Sequence, residues 1–357
     1  MINFGVCAYG IELPIITNDS DLVGEIFKKL VELDATDMLH NNDIVAITES
    51  VVARNQNNYV TVDEVAEEFK RVLDLKHDDI VHIIGPIASR NRFSLILKSI
   101  VKCIPNGWVI FYFTNEGFDE VGNVVAGIHP ITGINYEKFY TSIVESAGAE
   151  CEILYGWEEF YYSNDDKYIN ALIHERAQFN EQFSRYELHH YCDLTSICNT
   201  KSEWGLLGSN MVSEDRLKLA PRFGNDWCNS LQDMILEVLG KKVEIMIYGD
   251  GAYKDPTTGI YELADPTTTF GMTDGLKTMR TGTKLKYQID CSDLENLSNH
   301  SVTAFKIKTK SNTELGTTPR KINDLVATLA DLISGSADAG TPMVLIKNFI
   351  KGDAECL

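Results

Sequence analysis

Helical and strand-like spacings of apolar residues alternate along this chain, which predicts a mixed α and β protein. "SDLVGEIFKKLVEL" places Leu22, Ile26, Leu30 and Leu33 on one helical face, with Ser20 as its N-cap. "NNDIVAIT" follows as a short buried strand ending at Thr48. In "TVDEVAEEFKRVL", Thr61 and Glu64 have capping-box spacing, and Val65, Phe69 and Val72 form the apolar face. "GWVIFYF" (107–113) and "AECEILYGW" (149–157) read as strands. Between them "NYEKFYTSIVESAG" reads as a helix with Tyr136, Tyr140 and Ile143 aligned.

From 158 to 214 the periodicity weakens, and a helix is expected near "YINALIHERAQFNEQF". Order returns with the helix "CNSLQDMILEVLG", closed by Gly240, and an apolar run from Val243 to Tyr248. From Gly249 to Pro266 the chain then turns to Asp, Gly, Pro and Thr, a loop of about eighteen residues where a simple turn needs two to five. "TPRKINDLVATLADLISG" is the clearest helix: Thr318 caps it, Pro319 fills its first turn, Leu325, Leu329 and Leu332 line it, and Gly335 ends it. "TPMVLIKNF" is the last strand.

The 357 residues suffice for one large or two ordinary domains, and 44% apolar content implies real cores. A net charge of −20 argues against nucleic acid or an anionic membrane as partner. An acidic protein that handles phosphates needs metal cations between its carboxylates and the ligand. Eight cysteines without a CxxC pair read as reduced thiols, and no apolar run reaches the roughly 20 residues of a membrane helix. "MINFGVCAYG" has no signal-peptide pattern and "AECL" no prenylation box, so a cytoplasmic location is expected.

Familiar motifs fail. There is no GxxxxGK[ST] loop or GxSxG elbow, and "GDGAYK" lacks the third glycine of a dinucleotide fingerprint. "HERAQ" has Gln178 where a zinc helix needs its second ligand; His189 and His190 read as a solvated pair. Without DxDxDG spacing the acidic loop is no EF-hand. What remains is Asp250, at the end of a buried strand between Gly249 and Gly251. Such a carboxylate can ligate magnesium or manganese together with substrate phosphates, or can simply cap a turn.

Several segments together resemble the coenzyme F420-0:gamma-glutamyl ligase (CofE-like) family. "GIELPIITNDSDLVGEIF" is similar to that family's opening Leu-Pro, loop and Asp-Leu helix. "LHNNDIVAITESVVARNQNN" resembles the segment where a strand runs into Ser-Lys and a later Lys, with Glu49, Ser50 and Arg54 at those positions. "IMIYGDGAYKD" aligns Asp250 with the family's metal-binding Asp, and "NDLVATLADLISGSADAGTPMVLIKN" resembles the closing helix, glycine turn and strand. The likeness covers residues 5–62 and 215–348. For the second metal-binding Asp two places compete: "NEGFDEVGN" offers Asp119, whereas "WGLLGSN" fits the spacing to "LKLAPR" better but has Leu207 at the ligand position.

The resemblance implies an α+β, two-domain fold with mixed sheets that forms a homodimer. Residues 1–85 and 215–357 would make the family-like core, and 86–214 a divergent middle segment or second domain. It implies a GTP- (or ATP-) dependent ligase that γ-links glutamate or a similar amino acid to an acidic acceptor through an acyl phosphate. Mg2+ or Mn2+ would sit on Asp250 and Asp119. Nucleotide contacts would come from Leu13, Pro14, Glu49, Ser50, Arg54, Asn210, Gly335 and Ser336. Ser50 in place of Lys, and Leu207 in place of Asp, favour the alternative of a non-catalytic nucleotide- or metal-binding protein on the same fold. Arg54 and Asp250 speak for the enzyme.

Overall fold

A computed structural model of the chain describes residues 5–84, 87, 89–113, 126–130, 132–156, 171–174, 191–249, 253–254, 261–262, 269–277, 279–280, 320–334 and 340–350. The central sheet takes strands from both ends of the chain. Its order is β1 (Cys7–Ile11), β17 (Met343–Lys347), β2 (Ile44–Thr48), β11 (Glu244–Tyr248) and β14 (Thr269–Met272). β2 and β11 are parallel and the other pairs antiparallel, so the sheet is mixed.

Both faces of this sheet are covered, which explains its unbroken apolar runs. Val45, Ile47, Ile245, Ile247 and Leu345 pack under α1 (Leu22–Ala35) and α6 (Gly224–Leu239). Ile44, Ala46, Met246, Val344 and Ile346 pack on the other side against α7 (Ile322–Ser334). Each fully buried Ile, Leu or Val contributes about 1.5–3 kcal/mol. α6 lies directly on β14 because Gly224 and Gly271 let backbone meet backbone: a Cβ on Gly224 would stand 2.1 Å from the Phe270 carbonyl oxygen.

A second five-stranded sheet has the order β6 (Glu150–Tyr155), β5 (Trp108–Phe113), β4 (Ile80–Ile84), β7 (Ala171–His174) and β8 (Tyr191–Asp193). All its pairings are parallel, and the strand order reverses between β4 and β7. Its strands β5 and β6 and the helix between them are those expected from the sequence, whereas β4, the helix after it, β7 and β8 were not read there. α3 (Val62–Leu73), α4 (Arg90–Cys103) and α5 (Tyr136–Ser146) share one apolar cluster with the face bearing Val81, Ile83, Val109 and Phe111. The same cluster includes Val60 and Leu217 from a three-stranded sheet, β3 (Tyr59–Thr61), β10 (Arg216–Lys218) and β9 (Asn210–Met211).

The capping box at Thr61 and Glu64 forms, and Gly240 ends α6 with φ +65°. Other expectations are corrected. Asp21, not Ser20, caps α1, accepting from the Gly24 amide. Within "YINALIHERAQFNEQF" residues Ala171–His174 form β7. α7 begins at Ile322, after a strand pair joining Arg320–Lys321 (β16) to Met279–Arg280 (β15), and Thr318 and Pro319 lie outside the described residues. It buries Val326, Ala327 and Ala330, whereas Leu332 is 70% exposed. The eighteen-residue stretch contains a hairpin, Tyr253–Lys254 (β12) against Tyr261–Glu262 (β13). Gln178 and the His189–His190 pair lie outside the described residues.

Among the described residues no helix is long and apolar enough to cross a membrane, and the six cysteines are free thiols. Burial pushes the Cys103 thiol up to about 11 and Cys228 to about 12, which removes their nucleophilicity near neutrality.

His82, on β4, is 3% exposed and bonds Tyr112 Oη through Nδ1 at 3.0 Å; burial lowers its pKa to about 4. The unfolded chain binds that proton from pH 6.5 downward, so stability present above pH 6.5 is lost as the pH falls through 4. The loss should reach about 3 kcal/mol. Urea denaturation between pH 7 and 4 should show this slope, and His82→Gln should flatten it.

Candidate functional site

The parallel pairing of β2 with β11 brings their carboxyl ends together, with Thr48 in register with Tyr248. At this edge β2 runs straight into the short helix α2 (Glu49–Asn55), and Gly249 leaves β11 beside it. Thr48 donates its amide to the Pro342 carbonyl (2.9 Å), which fixes the edge from the β17 side.

α2 is laced to the chain that follows β10. Gln56 donates through Nε2 to the Arg222 carbonyl (3.0 Å) and accepts the Arg222 amide on Oε1 (2.7 Å). Asn58 donates to the Ala220 carbonyl (2.7 Å) and accepts the Leu219 amide (2.9 Å). These bonds set the register of β10 against α2, and they bring Lys218 to Glu49. Lys218 Nζ lies 2.6 Å from Glu49 Oε1 and 2.6 Å from Ser50 Oγ. Asn210, opposite Lys218 across the β9–β10 pair, donates to the same Glu49 oxygen at 3.3 Å. The Lys218 and Glu49 side chains are 4% and 0% exposed, so this is a buried ion pair between two sheets.

The face of β10 that carries Lys218 also carries Arg216, whose guanidinium stands 4.7 Å from the Tyr59 ring centroid. Leu217 and Val60 point the other way into the core. Gly205 (φ +56°) permits the turn that leads to β9: a Cβ there would lie 2.5 Å from the Leu194 carbonyl and 2.6 Å from those of Thr195 and Ile197.

Of the residues singled out from the sequence, Glu49, Ser50 and Asn210 therefore meet. Arg54 is exposed on α2, four residues beyond Ser50 and on the same side of the helix. Leu13 and Pro14 lie on the loop ahead of α1, half-buried and exposed respectively. Asn55 ties that loop to α2 through the Thr17 (2.9 Å) and Ser20 (2.7 Å) carbonyls. Asp250, Asp119, Gly335 and Ser336 lie outside the described residues. Leu207, the competitor at the second metal position, is buried in the apolar cluster and offers no oxygen to a cation. Among the described residues no three His, Cys, Asp or Glu side chains gather as a metal site.

Sequence reasoning missed Lys218. Its signal was present: in "LKLA" a lysine alternates with Leu217 and Leu219, and in a strand that is tolerated only where a partner meets the charge.

A groove of about 400 Å³ lies on the Val60 side of β3, lined also by Asp63, Glu64, Glu68, Cys198 and Lys201. Its carboxylates are engaged: Asp63 with Lys102, Glu64 with Lys201 (2.7 Å) and Glu68 with Arg71 (2.7 Å). The hydrogen bond from Lys201 holds the Glu64 carboxyl below its usual range, and burial raises the Cys198 thiol to about 12. These groups are paired or unreactive, so the β2–β11 edge is the stronger candidate.

A family model described as F420-0:Gamma-glutamyl ligase matches residues 10–348. No curated protein matches the chain.

Removing one partner of a buried ion pair strands the other. Lys218→Met should cost about 3–5 kcal/mol, and the Glu49→Gln/Lys218→Met double variant should recover most of it. Urea denaturation midpoints at unchanged slope measure both.

Proposed function

This chain belongs to the F420-0:gamma-glutamyl ligase family, the match spanning nearly its whole length, and from that premise we propose a nucleotide-dependent acid–amino-acid ligase. In this reading the carboxylate of an acidic acceptor attacks the γ-phosphorus of GTP or ATP. A bond forms from the carboxylate oxygen to phosphorus, and the nucleoside diphosphate leaves. The amine of glutamate, or of a similar amino acid, then attacks the acyl carbon. The amide forms, the amine loses a proton, and phosphate departs with the acceptor's oxygen.

The observation that carries the reading is the family match across residues 10–348, supported by the donors that Ser50 and Arg54 bring to the end of β2. Phosphoryl transfer needs positioning and charge neutralisation more than covalent help. Ser50 and Arg54 would supply donors for phosphate oxygens at one edge, with the buried Lys218 ammonium behind Ser50. Glu49 holds Lys218 in place, and Asn210 holds Glu49. Asp250, two residues beyond the end of β11, would hold a divalent cation with Asp119, and that ion supplies charge neutralisation at the phosphate oxygens. The loop carrying Leu13 and Pro14, tied to α2 by Asn55, would border the nucleotide. The protein would act as a homodimer on small acids and amino acids.

Incubated with Mn2+, GTP or ATP, glutamate and a panel of acids that includes coenzyme F420-0, the protein should release phosphate faster when one acid is present. That release should depend on glutamate and yield an amide. Asp250→Asn should abolish it while leaving metal-free thermal stability unchanged or raised, because neutralising a loop carboxylate relieves repulsion in a chain of net charge −20. Confirmed nucleotide binding without stimulation by any acid would favour the non-catalytic alternative.

A further inference from the structure

An amino-acid substrate carries carboxylate charge and needs a cation to hold it while its amine attacks. The face of β10 that bears the buried Lys218 continues to Arg216, two residues away and so about 7 Å along the strand. Arg216 is exposed, yet its guanidinium is held, 4.7 Å from the centroid of the Tyr59 ring. Tyr59 is half-buried and stands in register with Lys218 across the β3–β10 pair. The ring that carries Arg216 is therefore fixed by the same strand pairing that places the buried ion pair.

Elsewhere on this surface cations rest on carboxylates, as Arg71 does on Glu68 and Lys201 on Glu64, both at 2.7 Å. Arg216 follows two acids, Glu214 and Asp215, and pairs with neither. Asp215 instead accepts from Ser213 Oγ at 2.7 Å, and the Glu214 carbonyl accepts from Lys98 Nζ at 3.3 Å. Among the described residues the Arg216 guanidinium makes its ring contact and no ion pair, in a chain of net charge −20. Stacking on a ring occupies the face of a guanidinium and leaves its fork of N–H donors open. That fork matches a carboxylate, and holding it in place beforehand lowers the ordering cost of binding.

We propose that Arg216, with Tyr59 as its positioning residue, is the receptor for a carboxylate of the amino acid whose amine attacks. The proposal rests on the ligase reading for the identity of the ligand, whereas the open fork on a ring does not depend on it. Placement favours the amino acid over the acceptor. The acceptor's reacting carboxylate has to meet the γ-phosphorus, beside the phosphate donors of α2. Arg216 belongs to another element, one two-residue repeat beyond the lysine that backs those donors.

The test is calorimetric titration of the full chain with L-glutamate, in the presence of Mn2+ and GTP or ATP and without any acceptor acid. The parent should bind. Arg216→Gln should weaken glutamate at least about tenfold, the worth of a charge-assisted hydrogen bond, and leave nucleotide affinity and the thermal midpoint unchanged. Arg216→Lys, a point charge without the fork, should restore only part of the affinity. Tyr59→Phe keeps the ring and should bind as the parent does, whereas Tyr59→Ala should bind several-fold more weakly. L-Glutamine and the α-amide of glutamate each lack one carboxylate. The one that lacks the carboxylate held by Arg216 should bind the parent and Arg216→Gln alike.

A parent that does not bind glutamate overturns the proposal, and so does Arg216→Gln binding it as the parent does. A loss of affinity for nucleotide or acceptor acid in place of glutamate would also overturn it. Arg216-dependent glutamate binding by a chain that forms no amide with any acid would condemn the ligase reading and leave this receptor standing. Amide formation by Arg216→Gln with an unchanged KM for glutamate would do the reverse.

Discussion

A lysine ammonium can lie buried between two sheets only where its charge is met, and here Glu49 meets it. The pair joins the first turn of α2, which continues the central sheet, to β10, which belongs to the three-stranded sheet. Its attraction is large because both side chains are out of water, and so is the cost of placing them there. The bonds of Gln56 and Asn58 to residues 219–222 are what make the geometry exact enough to be tolerated. If that lacing slipped by one residue, Leu217 or Leu219 would face Glu49, and the lysine would enter the apolar cluster.

Much of the central sheet was legible in the sequence, because its elements are either amphipathic or short apolar runs bounded by polar turns. α1 and α6 show a stripe, and β2 and β11 show a run. The parallel sheet was legible in part, in α3, β5, α5 and β6, and α4 and β7 were hidden for physical reasons. α4 is buried on nearly every side from Arg92 to Cys103, and the buried Arg92, Ser94 and Ser99 interrupt the apolar stripe that marks a helix. β7 has four residues, Ala171–His174, and a run so short cannot be told from a helix turn by periodicity. The face of α7 was read in part: Leu329 packs against the core as expected, whereas Leu332 does not. Close packing on β11 and β17 selected Val326, Ala327 and Ala330, and turned Leu332 outward.

The candidate site was legible in part. Glu49, Ser50, Arg54 and Asn210 could be named only through the family resemblance of the segments that carry them. Lys218 was missed, since its alternation with Leu217 and Leu219 marks a buried charge but not the partner 169 residues away. Single-sequence reasoning sees charge and alternation but not which carboxylate waits opposite. The pairing also gives the departure at position 50 a physical sense. A serine there is not an empty place in the charge pattern, because a lysine from another strand lies 2.6 Å behind it.

The central claim is that this edge activates a carboxylate by passing it a phosphoryl group, and isotope transfer tests it most directly. The protein would be incubated with nucleotide, Mn2+, glutamate and the stimulating acid, its carboxylate labelled with oxygen-18. Mass spectrometry of the phosphate released would then follow the label. An acyl phosphate route predicts one labelled oxygen in phosphate for each amide formed. Amide formed with unlabelled phosphate, or phosphate released with no amide at all, would contradict the account.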